Sequence, residues 1–158
     1  MEQFVIRPIG VVRVGDRGAQ LEIKKEFIPA LTNLEGFGYV NVIWWFDKND
    51  NIDSRSKLIE TSPYKNSPET LGTFATRSPE RPNPIAQSCA YITHLDTQNG
   101  IIGLSFIDAE NGTPILDIKP YTPSLDRVEN PIVPQWCANW PKSVEASGNF
   151  DWSTVFYF

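Results

Sequence analysis

The stretch Tyr39-Val-Asn-Val-Ile-Trp-Trp-Phe46 carries the clearest secondary-structure signal in this chain. Its apolar side chains include the alternating set Val40, Val42, Trp44 and Phe46. Alternation with a period of two is typical of a strand that buries one of its faces. Weaker strand patterns occupy residues 4–14, 85–95 and 102–106. The sequence therefore predicts several short, half-buried strands.

Helical signals are few. One helix is predicted over residues 24–34, where apolar side chains recur at helical spacing and Gly36 provides a stop, although Pro29 lies inside the segment. A second short helix is predicted around residues 140–146. Short strands with proline-rich connections predict a mainly β protein, a small single-domain antiparallel β-barrel with one or two short helices. An α+β sandwich is the alternative.

Composition bounds the class of protein. A chain of 158 residues with 41% hydrophobic residues and a net charge of −5 fits one domain over residues 1–158. Two cysteines do not make a disulfide framework, and one histidine is too few for a zinc hydrolase or a Ser-His-Asp triad, so we expect no metal. We expect a cytoplasmic protein that does not enter a membrane.

The C-terminal tail, about residues 148–158, is aromatic: Phe150, Trp152, Phe156, Tyr157 and Phe158 all lie within it. So many aromatic side chains are unusual at a free terminus, because their apolar surface would face water. We expect the tail to dock on its own barrel or on a partner subunit.

The densest polar segment is Gly72-Thr-Phe-Ala-Thr-Arg-Ser-Pro-Glu-Arg-Pro-Asn-Pro-Ile-Ala-Gln-Ser88. A strand ending at Thr76 would lead into a loop whose prolines fix the backbone around Arg77, Arg81 and Asn83. Guanidinium groups held in this way suit a carboxylate or a phosphate. An anionic ligand is therefore predicted. The alternative is that the arginines only tie the loop to local carboxylates such as Glu80 or Asp117.

A second candidate segment begins at the turn Asn111-Gly112-Thr113-Pro114. Such a turn is expected to leave backbone N–H and C=O groups facing outward, as partners for a purine edge or a ribose. Asp117, Lys119 and Tyr121 follow at alternate positions, so they should share one face of an extended segment opposite Ile118. This face forms either a polar pocket wall or a solvated, salt-bridged surface.

These segments are where the chain resembles the TsaA-like family, also called the TrmO family. The resemblance runs through Ile9-Gly-Val-Val-Arg13, Leu34-Glu-Gly-Phe37, Phe74-Ala-Thr-Arg-Ser-Pro79, Arg81-Pro-Asn-Pro-Ile85, Gly112-Thr-Pro114 and Asp117-Ile-Lys-Pro-Tyr121. It implies a small β-barrel that binds S-adenosyl-L-methionine, usually as a homodimer with the pocket near the subunit interface. The reaction it implies is N6-methylation of threonylcarbamoyladenosine beside the tRNA anticodon.

Carried onto this sequence, the resemblance places cofactor contacts at Asp47, Lys48, Arg77, Gln87 and the turn Asn111-Gly112-Thr113-Pro114. Arg77 would meet the methionine carboxylate and the turn would meet the adenosine. For the transfer step we expect Asp117 or Tyr121 to act as base or orienter, while Arg81 and Asn83 position the acceptor.

Two other functions remain open. The first keeps S-adenosyl-L-methionine but takes a small molecule or another nucleoside as acceptor. It is favoured by the pI of about 4.9, by the short segment Val14-Gly-Asp-Arg-Gly18 where the family has a longer loop, and by the expected lack of a further C-terminal domain. The second is a protein that binds S-adenosyl-L-methionine without catalysis.

Overall fold

The computed structural model describes residues 3–16 and 18–157. The chain divides into two compact units. One comprises Met1–Asp47 and Ile85–Asp126, and the other comprises Lys48–Pro84 and Arg127–Phe158. Each unit is therefore built from two separate stretches of the chain.

Eight strands occur among the described residues: β1 Gly10–Gly15, β2 Gly18–Ile23, β3 Tyr39–Trp45, β4 Ile59–Thr61, β5 Thr70–Gly72, β6 Ile85–Asp96, β7 Ile101–Leu104 and β8 Pro114–Pro120. Six of them close into a barrel in the order β1-β2-β7-β6-β3-β8, with antiparallel pairing throughout. The remaining pair, β4 and β5, forms a two-stranded sheet in the second unit. The predicted mainly β, antiparallel barrel is confirmed.

The barrel core follows the alternation seen in the sequence. Val40 and Val42 are completely buried and Trp44 is 4% exposed. Ile43, which lies between Val42 and Trp44 in the sequence, is half-buried on the opposite face of β3. The indole N–H of Trp44 donates to the hydroxyl of Ser88 at 3.0 Å, which satisfies the one polar atom of that ring. Further fully buried side chains come from the other strands, namely Val12, Leu21, Ile102 and Ile115.

The strand predictions hold best in the centre of the barrel. β3 and β6 agree with their predicted limits to within one residue. The pattern over residues 4–14 becomes a strand only from Gly10, and the pattern over 102–106 ends at Leu104. β2, β4 and β5 carry no clear alternation, and the sequence did not reveal them.

The predicted helix over residues 24–34 is a 3-10 helix over Lys25–Leu31. Pro29 lies inside it and has no N–H to donate, so a regular α-helical ladder cannot form there. The second predicted helix begins later than residue 140, as α3 Val144–Ser147, because the hydroxyl of Ser143 caps it by accepting from the Ala146 N–H at 3.1 Å.

The described residues contain further short helices that the sequence did not predict. α1 Ile52–Ser56 begins at an Asn51 cap, and α2 Pro123–Asp126 follows β8. Single 3-10 turns occupy Asp47–Asn49, Thr73–Ala75, Gln135–Cys137 and Trp152–Thr154. Within the described ranges, none of the helices has both the length and the apolar character needed to cross a membrane.

In the second unit, the aromatic tail packs on the connection between β4 and β5. We call the rings of Tyr64, Trp136, Trp140, Phe150, Trp152 and Phe156 the aromatic cluster, since each contacts at least one other at centroid distances of 4.9–5.8 Å. The backbone N–H of Lys65 donates to the Val155 carbonyl at 2.7 Å. The tail thus docks on residues of the β4–β5 connection in its own unit, whereas the expectation named the barrel or a partner subunit. Phe158 lies outside the described residues.

Candidate functional site

The loop that carries the predicted anion-binding arginines, residues 77–84, is called the proline loop here. β5 ends at Gly72 and not at Thr76, because Thr73–Ala75 form a 3-10 turn before the loop. The hydroxyl of Thr76 donates to the Thr73 carbonyl at 2.8 Å and accepts from the Ser78 N–H at 3.2 Å. The start of the proline loop is therefore fixed by a buried threonine.

Two cationic side chains hold the rest of the proline loop. Arg55 donates through Nη1 to the Pro82 carbonyl at 3.2 Å. The ammonium of Lys57 pairs with the carboxylates of Glu80 and Glu60, the latter at 3.1 Å. Hydrogen bonds to Glu80 and then to Glu60 raise the pKa of Lys57 above its ordinary value. The loop is thus anchored at two points along its length.

The predicted arginines differ in their surroundings. Arg77 is exposed, and its backbone N–H donates to the hydroxyl of Tyr64 at 3.4 Å. Arg81 is half-buried and donates through Nη1 to the Ser78 carbonyl at 3.3 Å, so it also supports the loop itself. Asn83 is exposed near the end of the loop. These three residues lie in the same unit, on a backbone with little freedom left to lose when a ligand binds.

The carboxylates named as alternative partners of the arginines have lysine partners. Glu80 pairs with Lys57, and Asp117 pairs with Lys119. The planar donor geometry of a guanidinium group suits a carboxylate or a phosphate.

In the barrel unit, the structure brings Gln87 and Asp117 into one row. Both residues pair with Ile43, which lies between them on the central strand β3. Directly paired residues point to the same face of a sheet, and Ile43 faces away from the buried Val42 and Trp44. Gln87 and Asp117 therefore lie on the outer face of the barrel, about 10 Å apart across two strand spacings.

The next rows on this outer face confirm that Asp117, Lys119 and Tyr121 share one side. Lys119 pairs with Asn41, and the Tyr121 N–H donates to the Tyr39 carbonyl at 3.0 Å. The ring of Tyr39 lies 6.2 Å from that of Tyr121 and 5.3 Å from that of Tyr91.

Sequence reasoning missed this row of tyrosines. Tyr39 and Tyr91 alternate with core residues in their strands, so their outward direction could be inferred, but only the strand register shows that they join Tyr121. The outer face thus combines aromatic rings with the polar groups of Gln87, Asp117 and Lys119.

The turn Asn111-Gly112-Thr113-Pro114 is bonded to β1. The N–H of Gly112 donates to the Val12 carbonyl, and the Val12 N–H donates to the Thr113 carbonyl, both at 2.8 Å. We expected the backbone N–H and C=O groups of this turn to point outward. That expectation is wrong, because the Gly112 N–H and the Thr113 C=O complete the hydrogen-bond ladder to β1 where β8 begins. Gly112 adopts a φ of 91°, which favours glycine. The side-chain oxygen of Asn111 accepts from the Val14 N–H at 3.2 Å.

The remaining predicted contacts, Asp47 and Lys48, are exposed at the start of the 3-10 turn after β3. The candidate residues fall in both units: Asp47, Gln87, Asn111, Asp117 and Tyr121 in the first, and Lys48, Arg77, Arg81 and Asn83 in the second.

Among residues 3–16 and 18–157, no group of three or more His, Cys, Asp or Glu could hold a metal ion. Cys89 and Cys137 are half-buried thiols that are not joined in a disulfide.

Comparison with known proteins defines the class. Residues 7–127 match the family described as the tRNA-methyltransferase O N-terminal domain. That range includes all eight strands and the proline loop. The chain therefore belongs to the tRNA-methyltransferase O N-terminal domain family, as the resemblance in its motifs predicted.

Curated relatives fall in two groups by name. A probable S-adenosyl-L-methionine-binding protein of Methanocaldococcus jannaschii is 40% identical over 124 residues, which cover 78% of this chain and 96% of the relative. An S-adenosyl-L-methionine-binding protein of Archaeoglobus fulgidus is 33% identical over 139 residues, covering 79% and 94%. The human tRNA (adenine(37)-N6)-methyltransferase is 39% identical over 105 residues, covering 66% of this chain and 23% of the human protein.

Solved structures support the same fold. A crystal structure of TrmO matches with a TM-score of 0.65 at 29% identity, covering 84% of this chain and 64% of that one. TrmO from Pseudomonas aeruginosa matches with a TM-score of 0.62 at 29% identity, covering 83% and 62%. This chain thus spans less than two thirds of the length of these TrmO chains.

Proposed function

We propose that this chain binds S-adenosyl-L-methionine and transfers its methyl group to N6 of a modified adenosine, N6-threonylcarbamoyladenosine, in tRNA. The observation that carries the proposal is the family match over residues 7–127, which includes the fixed loop bearing Arg77 and Arg81. The enzyme class and the cofactor of this proposal, an S-adenosyl-L-methionine-dependent methyltransferase, are supported by the family and by the names of its relatives. The particular modified adenosine is the finer part of the proposal.

The residues present fit this cofactor. S-adenosyl-L-methionine carries a carboxylate, and the exposed Arg77 on the proline loop offers a planar guanidinium for it. Asp47, Lys48, Gln87 and the turn at residues 111–114 supply the other proposed contacts. Because the backbone of Gly112 and Thr113 is bonded to Val12, the turn would contribute chiefly through the side-chain amide of Asn111, whose NH2 can still donate.

When bound, the cofactor supplies a methyl group activated by a sulfonium. The protein's task in such an in-line displacement is to align the acceptor and to exclude bulk water. The acceptor nitrogen must lose a proton as the new N–C bond forms, and we assign Asp117 or Tyr121 to hold that proton. Arg81 and Asn83 would orient the acceptor. Support for assigning Asp117 and Tyr121 is that both lie on the outer face of the barrel, Asp117 in the row of Gln87 and Tyr121 two rows further along that face.

A homodimer is the proposed assembly, with tRNA as the substrate partner. A small-molecule acceptor remains compatible with the acidic charge balance of −5, because a tRNA contact is strengthened by clustered Lys and Arg. The names of the archaeal relatives specify binding of S-adenosyl-L-methionine and no reaction. That observation favours binding without transfer as the second candidate.

The first experiment is calorimetric titration of the purified chain with S-adenosyl-L-methionine, with S-adenosylhomocysteine as competitor. Stoichiometric binding that Arg77→Ala abolishes, while the exposed control Arg127→Ala leaves it unchanged, supports the cofactor site. Absence of binding to the unaltered chain contradicts the proposed function.

Transfer is tested next with methyl-labelled cofactor and tRNA from cells that lack this methylation. Label recovered in N6-threonylcarbamoyladenosine supports the proposed acceptor, and tRNA without the threonylcarbamoyl group should remain unlabelled. Binding with no transfer to any tRNA would favour one of the two other functions.

A further inference from the structure

Tyr64 lies on the connection between β4 and β5 and is enclosed by rings from the C-terminal segment. Trp136 stacks on it at a centroid distance of 5.5 Å and an interplanar angle of 14°. Trp140 and Phe156 meet it edge to face at 5.2 and 5.6 Å. Stacked and edge-to-face contacts are the favourable geometries for aromatic pairs. These three ring contacts restrict the plane in which the Tyr64 ring can lie.

The C-terminal segment is itself attached to the residue after Tyr64. The Lys65 N–H donates to the Val155 carbonyl at 2.7 Å, and its ammonium donates to the Ser153 carbonyl at 2.8 Å. Val155 is 4% exposed. The indole of Trp152 donates to the Ser147 carbonyl at 3.1 Å, which closes the segment on itself. Phe156, the neighbour of Val155, is therefore held against Tyr64 by hydrogen bonds to the backbone as well as by packing.

The other end of Tyr64 reaches the proline loop. Its hydroxyl oxygen accepts the hydrogen bond from the Arg77 N–H at 3.4 Å. This is long for an N–H···O bond, so its strength depends closely on where the ring is placed. On either side of Arg77, Thr76 and Ser78 are bonded to each other. Tyr64 is thus the contact that joins the aromatic cluster to the backbone of Arg77.

The rings that enclose Tyr64 lie beyond the family match. That match ends at residue 127, whereas the rings belong to residues 136, 140 and 156. The support for Tyr64 therefore comes from a part of this chain that the family description does not include. It offers this chain a way to tune the proposed site on the proline loop, which lies inside the family match.

We propose that the C-terminal aromatic segment positions Arg77 for the anionic end of its ligand, through the ring and hydroxyl of Tyr64. Tyr64 is then a positioning residue and not a catalytic one. This inference rests on the proposed function, since it takes Arg77 as the residue that meets the methionine carboxylate. It adds that the strength of cofactor binding depends on residues after 127.

The first test removes only the hydroxyl. Tyr64→Phe keeps the ring packing and is expected to weaken S-adenosyl-L-methionine binding about two- to threefold, the low end of the range for one neutral hydrogen bond, because this bond is long. Tyr157→Phe is the matched control, because it removes a hydroxyl from the exposed part of the same tail. Trp136→Ala, which removes the stacked wall, is expected to weaken binding in the same direction. Tyr64→Phe binding as tightly as the unaltered chain would overturn the inference.

A double-mutant cycle separates positioning from general stability. In an Arg77→Lys background that retains measurable binding, Tyr64→Phe should weaken S-adenosyl-L-methionine binding by a smaller factor than it does in the unaltered chain. The reason is that lysine lacks the planar guanidinium whose orientation Tyr64 sets. An equal loss in both backgrounds would show that Tyr64 does not act through Arg77, and would also overturn the inference.

Amide hydrogen exchange at Arg77 gives a readout that needs no cofactor. Tyr64→Phe and Trp136→Ala should each accelerate exchange of the Arg77 N–H, while Tyr157→Phe should not. If the unaltered chain bound no S-adenosyl-L-methionine, the proposed function would fail, but this exchange would still decide whether Tyr64 holds the loop. Unchanged exchange in both variants contradicts the positioning role whatever the ligand.

Discussion

Gly10 approaches Glu22 so closely that a Cβ atom on Gly10 would lie 2.3 Å from the Glu22 carbonyl oxygen. The two residues belong to adjacent strands of the barrel, β1 and β2, whose pairing begins at Gly10↔Ile23. A backbone oxygen in a closed barrel has little room to move, so only glycine fits here without displacing a strand.

Gly10→Ala is therefore expected to destabilise the protein by about 1–3 kcal/mol, as overpacking does in a closely packed interior. Chemical denaturation of the purified variant measures this loss. Gly15→Ala is the control, because nothing lies within 4 Å of a Cβ at that end of the same strand. Equal stability of the two variants would show that the barrel accommodates the extra methyl group.

Removing the proposed proton acceptors should slow methyl transfer. Asp117→Asn or Tyr121→Phe is expected to lower the single-turnover rate at least about tenfold, since general-base catalysis contributes 10²–10⁴-fold in typical enzymes. Rapid-quench measurement with saturating cofactor isolates this step. Asp108→Asn, at an exposed position of the barrel unit, is the matched control. If both variants transferred the methyl group at the rate of the unaltered chain, neither Asp117 nor Tyr121 would act as the proton acceptor.

The ion pairs of Lys57 should matter for binding through the shape of the proline loop. Lys57→Met removes the links to Glu60 and Glu80, and we expect S-adenosyl-L-methionine to bind about two- to fivefold more weakly, in line with partly exposed ion pairs. Lys57→Arg should retain most of the affinity. Calorimetry on these variants, with the exposed Lys142→Met as control, tests the anchoring. If Lys57→Met left the affinity unchanged, the prolines and Arg55 would be sufficient to hold the proline loop in its binding conformation.

Asp96 gives the stability a dependence on acidic pH. Hydrogen bonds from the side chain and then the backbone of Asn99 lower the pKa of the Asp96 carboxyl. A lowered pKa means that the stabilisation is present above the unfolded-state pKa of about 3.9 and is lost as the pH falls through the folded-state pKa.

Asp96→Ala should consequently be less stable than the unaltered chain near pH 7, with the difference shrinking as the pH falls below about 3.9 and through the lowered pKa of Asp96. Urea denaturation at a series of pH values measures it. Asp108→Ala, at an exposed position of the same unit, is the control. A difference in the free energy of unfolding between Asp96→Ala and the unaltered chain that stayed constant at every pH would contradict the proposed link between the pKa of Asp96 and stability.

Much of the fold could be read from local patterns. The alternation around Val40, Val42 and Trp44 predicted β3 and its buried face, because a strand with one wet face requires that pattern. The 3-10 form of Lys25–Leu31 could not be read in the same way, since its apolar spacing is compatible with an α-helix and only Pro29 opposes it. The short strands β4 and β5 have too few residues to show any period.

The site was predictable in composition and not in arrangement. The prolines around Arg77 and Arg81 indicated a rigid cationic loop, because a fixed φ is a property of the residue itself. That Gln87 and Asp117 flank Ile43 depends on strand register, which joins residues far apart in the chain. The bonding of Gly112 and Thr113 to Val12 depends on barrel closure.

By itself, the sequence determined that this chain is a β-barrel of a recognisable family, with a proline-fixed loop that carries two arginines. These features are local or are carried by contiguous motifs. Tertiary structure alone decided that an aromatic tail encloses Tyr64 and that Tyr64 meets the backbone of Arg77. The reason is physical: aromatic packing has no sequence period, and it depends on which surfaces the folded chain brings within a few ångströms of one another.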